Sequence, residues 1–239
     1  MTVPSPTQSN LQVALRAFLL AVLPTGVVVI EGQDNRVVEP SATDFVVMTA
    51  IRRERIDTDI VAYADVAFIG SITGTVLTVT SMKFGAILTN TQLFGVGVTS
   101  GTMILSQLSG TTGGIGTYTL SISQTVSSST LASGQALLTQ PVKVTVQLDF
   151  HSANVGDSND MAATVSTMFR SEYATAIFDA YTGLSPLYAD DPRQTPFMNQ
   201  EQQWETMWTL DAVIQSNQVV SWPQQFAGAL AVTFEPITY

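Results

Sequence analysis

Cysteine is absent from the 239 residues, so neither a disulfide nor a thiolate metal site is available. Charge is scarce as well. Asp, Glu, Lys and Arg make up 12% of the chain, against roughly 25% in a typical soluble domain. Polarity must then come from Ser, Thr, Gln and Asn, or surface must be buried against partners. Cations are the scarcer sign, 9 against 19 carboxylates, for a formal net charge of -10. That balance argues against a general nucleic-acid binder, which neutralises phosphates with clustered Lys and Arg, but it suits a wall past which DNA slides without adhering. There is a single histidine, His151, so no pair of imidazoles is available for a metal. No serine stands in a nucleophile-elbow context to partner it.

Long apolar runs are missing too. The best candidate, "LQVALRAFLLAVL" (11–23), is interrupted by Arg16 and has no basic residue before it. It is also shorter than the roughly 20 apolar residues a bilayer requires, so it reads as neither a membrane span nor a signal peptide. Leu11, Leu15, Phe18 and Val22 fall on one helical face, Ser9 or Asn10 can cap, and Pro24 stops the run, which predicts an amphipathic helix packed on a sheet.

What is present divides the chain in three. Between Asp65 and Lys143 the only charge is Lys83, and Gly, Ser and Thr dominate. The pieces "TVLTVTSM", "TMILSQL" and "TYTLSIS", separated by glycine turns such as "SITG" and "FGVGVTSG", predict a small all-β domain over 66–138. The flanks, 1–65 and 139–239, read as one discontinuous α+β domain. In "PVKVTVQLDFH", Val142, Val144, Val146, Leu148 and Phe150 alternate with Lys143, Thr145, Gln147, Asp149 and His151, the pattern of a strand with one buried face. "WETMWTLDAVI" repeats it with Trp204, Trp208, Leu210, Ala212 and Ile214, and "ALAVTFEP" with Leu230, Val232 and Phe234. Met161, Val165, Met168, Phe169 and Tyr173 recur at helical intervals and predict a second helix. "VVVIEG" and "DFVVMTAIRRERI" supply early strands joined by a polar turn. The expected fold is α+β, a mostly antiparallel sheet covered by two helices and interrupted by the β insertion. An insertion is tolerated where its ends lie close together, so the strand ending near Ala64 should neighbour the one starting near Val142.

Candidate chemistry is thin. "GTTGGIGTYTLS" (110–121) packs four glycines into seven positions, but a phosphate loop needs a helix after it, and here a β-branched, Ser-rich run follows. It reads as a turn between strands. His151 ends the polar face of its strand and reads as solvated. "GDSND", with Asp157 and Asp160, lacks the full ligand ladder of a calcium loop and reads as helix capping. "ADDPRQTPF" (189–197) reads as a Pro-bounded loop, and Trp204, Trp208 and Trp222 read as core. The one basic concentration is "RRER", Arg52, Arg53 and Arg55 around Glu54. It is a solvated strand end or a contact with a partner.

Taken together, "EGQDNRVVEP", "DFVVMTAIRRERI" and the run from "FRSEYATAIFDAY" through "PLYADDPRQTPFMNQEQQ" to "VVSWPQQFA" closely resemble the tail or neck terminator proteins of tailed bacteriophages. The resemblance covers most of 8–60 and 140–236. The middle is similar to a Gly/Ser/Thr-rich β module of phage virion proteins, carried here by "FIGSITGTVLTVT" and "GVGVTSGTMI".

The resemblance implies a structural virion protein of the neck, assembled in the host cytoplasm. It would cap the tail tube as a ring, implied to be a hexamer, and present a surface to the head connector while genomic DNA passes. It implies no enzymatic activity, no cofactor, no metal and no membrane. The polar face Lys143, Thr145, Gln147, Asp149 and His151, with Glu205, Thr209 and Asp211, is the candidate channel or intersubunit face. Arg52, Arg53, Glu54 and Arg55 are the candidate ring or tube contact. Two other readings stay open: another head-to-tail connector or tail-completion ring protein, and a cell-surface glycan-binding module in the β insert.

Overall fold

The structure, a computed structural model, describes residues 4–32, 44–152, 155–198 and 204–225, without the side chains of 155, 196–198, 204 and 205. The element order is α1 (Gln8–Val22), β1 (Val28–Glu31), β2 (Phe45–Arg55), β3 (Ile60–Phe84), β4 (Thr91–Gly95), β5 (Met103–Gly110), β6 (Gly116–Ser152), α2 (Val155–Met168), α3 (Glu172–Phe178), β7 (Leu184–Ala189), β8 (Arg193–Met198) and β9 (Trp204–Pro223). The described residues form two compact units, one made of those up to 60 with those of 139–220, the other of 61–138 with 221–225.

In the first unit the sheet is mixed, and strands outweigh helices. β2 lies antiparallel to β6 from Phe45↔His151 to Arg55↔Val142, and β9 pairs with β6, β7 and β8. β1 runs parallel to β2, from Val28↔Phe45 to Glu31↔Met48, not antiparallel to it. The polar turn expected after Gly32 falls on residues 33–43, which lie outside the described residues. "ALAVTFEP" lies outside them as well.

The helical layer follows from the sequence periodicity with three adjustments. α1 buries Leu11, Leu15 and Phe18 as expected, but its N-cap is Thr7, which closes a capping box with Asn10. The expected second helix is two helices. α2 ends at Met168, and Ser171 caps α3 by accepting from the Ala174 N–H. This break changes the phase, so Ala174 and Phe178 turn inward while Tyr173, expected on the apolar face, is 47% exposed. Phe18, Phe169 and Phe178 then meet edge-on, with centroids 5.2 Å apart for Phe18–Phe169 and 6.0 Å for Phe169–Phe178. Beneath them Val142, Val144, Val146, Leu148 and Phe150 of β6 and Leu210, Ala212 and Ile214 of β9 complete one core. Trp208 packs against it, but Trp222 is 41% exposed rather than core; the Trp204 side chain is outside the described set.

The second unit has its own core, including Phe68, Leu77, Leu93, Ile104, Tyr118 and Leu131. β3 turns back on itself at Gly74, whose φ is +64°, and the Thr80 hydroxyl donates to the Ile69 carbonyl across that turn. The glycine cluster is the β5–β6 hairpin turn, with Gly110 opposite Gly116. Gly110 has φ +96°, and a Cβ there would collide with the Ile115 carbonyl, so only glycine fits. The turn's amides are already engaged: Thr111 N–H donates to Ile115, Gly114 N–H to Thr111, and Gly113 N–H to the Gln107 side chain. A phosphate would find no converging donors there.

Replacing Phe169 with Ala removes the ring shared by both of its aromatic partners. The expected cost is about 3–5 kcal/mol, read as a lower denaturant midpoint with an unchanged slope.

Candidate functional site

The alternation of β6 sorts its residues to two faces. The apolar set faces the helices, and the other face has no described helix on it. Cross-strand register places Val47 opposite Asp149, Thr49 opposite Gln147, Arg52 opposite Thr145 and Glu54 opposite Lys143. Partners directly opposite in a ladder share a face, so Arg52 and Glu54 of β2 meet the candidate residues of β6 on one surface. β9 joins them there, because the Thr209 hydroxyl donates to Asp149 Oδ1 at 2.8 Å. Asp211, two residues on along β9, has the same orientation.

Among the described side chains, the carboxylates of this face are each engaged. Glu54 is bridged by Arg52 and by Lys143, whose Nζ stands 3.0 Å from Oε2. The hydrogen bond from Lys143 holds the Glu54 carboxyl below its ordinary value, against a smaller opposing effect of burial and with help from the charges of Arg52 and Lys143. Reciprocally, Glu54 raises the Lys143 ammonium. Asp149 accepts from the Gln147 amide at 2.9 and 3.1 Å as well as from Thr209. Asp211 pairs with Arg193 at 3.3 Å. Among the described side chains, three cations and three carboxylates thus stand on one face of an acidic chain.

His151 belongs to this face by register, but it is 7% exposed rather than solvated. Its ring stacks on Phe45, its cross-strand partner, at 4.4 Å and 7°. A flat apolar neighbour directly opposite explains the burial. The Glu205 side chain lies outside the described residues.

The basic group is divided. A β-bulge at Ile51 sends Arg52 and Glu54 to the open face and Arg53 to the other, where it donates to Gln218 and Gln8, each at 2.9 Å. Arg55 and Ile56 line a hollow of about 490 Å³ with Glu54, Lys143, Leu187 and Gln215. Arg193 was not among the candidates because "ADDPRQTPF" reads as a loop. In the structure Arg193–Met198 is β8, paired with β9 from Arg193↔Thr209 to Met198↔Trp204. Pro196 is tolerated there because a strand on the rim of a sheet loses little when it lacks a donor. Among the described residues, no group of three or more His, Cys, Asp or Glu is arranged to hold a metal, and no helix is long and apolar enough to cross a membrane.

The ion group has a pH signature. Because the folded-state value of Glu54 is lowered, its contribution to stability is complete above the ordinary glutamate range and is lost as pH falls through the lowered value. NMR titration should place the Glu54 carboxyl midpoint below that of an exposed glutamate, and Lys143→Met should return it toward the ordinary range.

No curated protein matches the chain. A family model described as phage neck terminator protein matches residues 106–237, a stretch that begins within β5 and takes in β6, both later helices and β7 to β9. This is more than half of the chain and includes the two strands that carry most of the open face. The chain therefore belongs to the phage neck terminator protein family, a structural family of the virion neck.

Proposed function

We propose that the chain caps the tail tube as a ring of copies, six by family resemblance, and offers the joining surface to the head connector while DNA passes through its centre. In this reading the helix-free face of the sheet is where one subunit meets the next, and 66–138 is an inserted domain carried by the ring domain formed from 1–65 and 139–239.

The observation that carries the reading is the charge balance of that face. Two copies of a chain with net charge -10 repel one another over most of their surfaces. Contact is cheapest where each carboxylate already has its own donor, as Glu54, Asp149 and Asp211 have. The same compensation argues against these residues as a DNA-repelling wall, since paired charges project little field. Packing between subunits is therefore favoured over channel lining for Lys143, Thr145, Gln147, Asp149, Thr209 and Asp211. Arg52 and Arg55, at the far end of β2, fit a contact with the ring or the tube.

Electron microscopy of the purified protein, alone and mixed with uncapped tail tubes, tests the assignment. Rings seated on tube ends are expected, and a monomer that ignores tubes would overturn it. Arg193→Glu places a like charge beside Asp211. It should leave the circular dichroism unchanged while dissociating the ring at concentrations where the unaltered protein is assembled.

A further inference from the structure

We propose that Val96 of one copy packs against Leu105 and Leu108 of the next, a contact that rests on the ring reading and belongs to the second unit. β5 carries two bulges. Its register against β6 runs Ile104↔Leu120, Ser106↔Thr119, Gln107↔Tyr118, Ser109↔Thr117 and Gly110↔Gly116, which leaves Leu105 and Leu108 as the extra residues. Ile104, Tyr118 and Leu120 are buried in the core of this unit. In an unbroken strand the two-residue period would turn Leu108 to the same side as Ile104. The bulges shift that phase, and Leu105 and Leu108 are instead 45% and 57% exposed. They emerge among hydroxyls, since Thr117 and Thr119 alternate with the buried Tyr118 and Leu120 and Ser109 Oγ stands 2.7 Å from Thr117 Oγ1. A bulge re-aims a side chain at the expense of ladder pairing, and here the pair of bulges sets both leucines outside the core.

Val96 supplies the matching knob. It is 87% exposed, more than any other large apolar side chain described, and it stands at the turn between β4 and β5. That turn is braced. Gly97 takes φ +80°, the Val98 N–H donates to the Gly95 carbonyl at 3.2 Å, the Thr99 N–H donates to the Gln124 side chain at 2.7 Å, and the Gln124 amide donates to Thr102 Oγ1 at 2.9 Å. An apolar tip on a turn already fixed costs little further ordering when it is buried. Charge selects a second copy as the occupant. Residues 61–138 carry two formal charges, Asp65 and Lys83, which cancel, so the whole excess of -10 belongs to the rest of the chain. Two copies meet through this stretch without the like-charge opposition that acts elsewhere. Knob and leucine face are two different surfaces of one chain, which is what head-to-tail closure of a ring requires.

Sedimentation of the unaltered chain first establishes whether it forms a ring; a monomer under all conditions, tubes included, would refute the ring reading itself. Given a ring, Val96→Ser should keep the circular dichroism and raise the concentration at which rings come apart by about tenfold or more, whereas Val96→Ile should not raise it. Leu105→Ser with Leu108→Ser should act in the same direction, and adding Val96→Ser to that pair should weaken the ring little further, because the contact is already gone. The chain has no native cysteine, so Val96→Cys can be combined in turn with Leu105→Cys and Leu108→Cys and oxidised. The expected result is a ladder of covalent multimers ending at the ring size, absent from each single-cysteine variant. Bonds formed only within monomers, or none in either combination while rings persist, would overturn the contact and leave the ring reading standing. Rings that survive Val96→Ser unchanged but no longer hold to tail tubes would assign the knob to the tube protein and overturn it as well.

Discussion

The first unit depends on one constraint, the two-residue alternation of β6 from Val142 to His151. Its apolar positions supply the floor on which α1, α2 and α3 rest. Its polar positions supply the open face and set, through register, which residues of β2 stand on it. A slip of one residue would exchange the two sets. The core and the candidate contact surface are thus two sides of the same strand, and neither could have been built independently of the other.

On the open face, electrostatics follows from that geometry. Lys143 meets Glu54 because their positions are directly opposed, and the bulge at Ile51 brings Arg52 onto the same side. Thr209 reaches Asp149 from β9. Glu54, Asp149 and Asp211 each find a donor on a neighbouring strand, so these carboxylates are held in fixed positions. Such a surface gives specificity through fixed hydrogen-bond positions rather than through net attraction.

Much of this was legible in the sequence. The β6 and β9 alternation, the α1 face and the turn nature of the glycine cluster can be read from periodicity alone, because burial on one face writes itself into the residue pattern. Other features depend on contacts distant in sequence. The direction of β1, parallel to β2, is not written in its four residues. The break between α2 and α3 turns on Ser171 acting as a cap, while Met168 and Phe169 carry the apolar spacing up to it without a gap. β8 was hidden by Pro192 before it and Pro196 within it, and the burial of His151 comes from Phe45, more than a hundred positions away. Arg193 became part of the face only through pairing with β9.

The scarcity of charge between Asp65 and Lys143 has a consequence of its own. Lys83 is the one formal charge there, and it donates to the Thr130 hydroxyl at 3.0 Å. Contacts made by this stretch are accordingly almost blind to ionic strength. The pairs on the open face, by contrast, weaken as salt shortens the Debye length. Dilution would leave the first kind of contact unchanged while the second kind tightened.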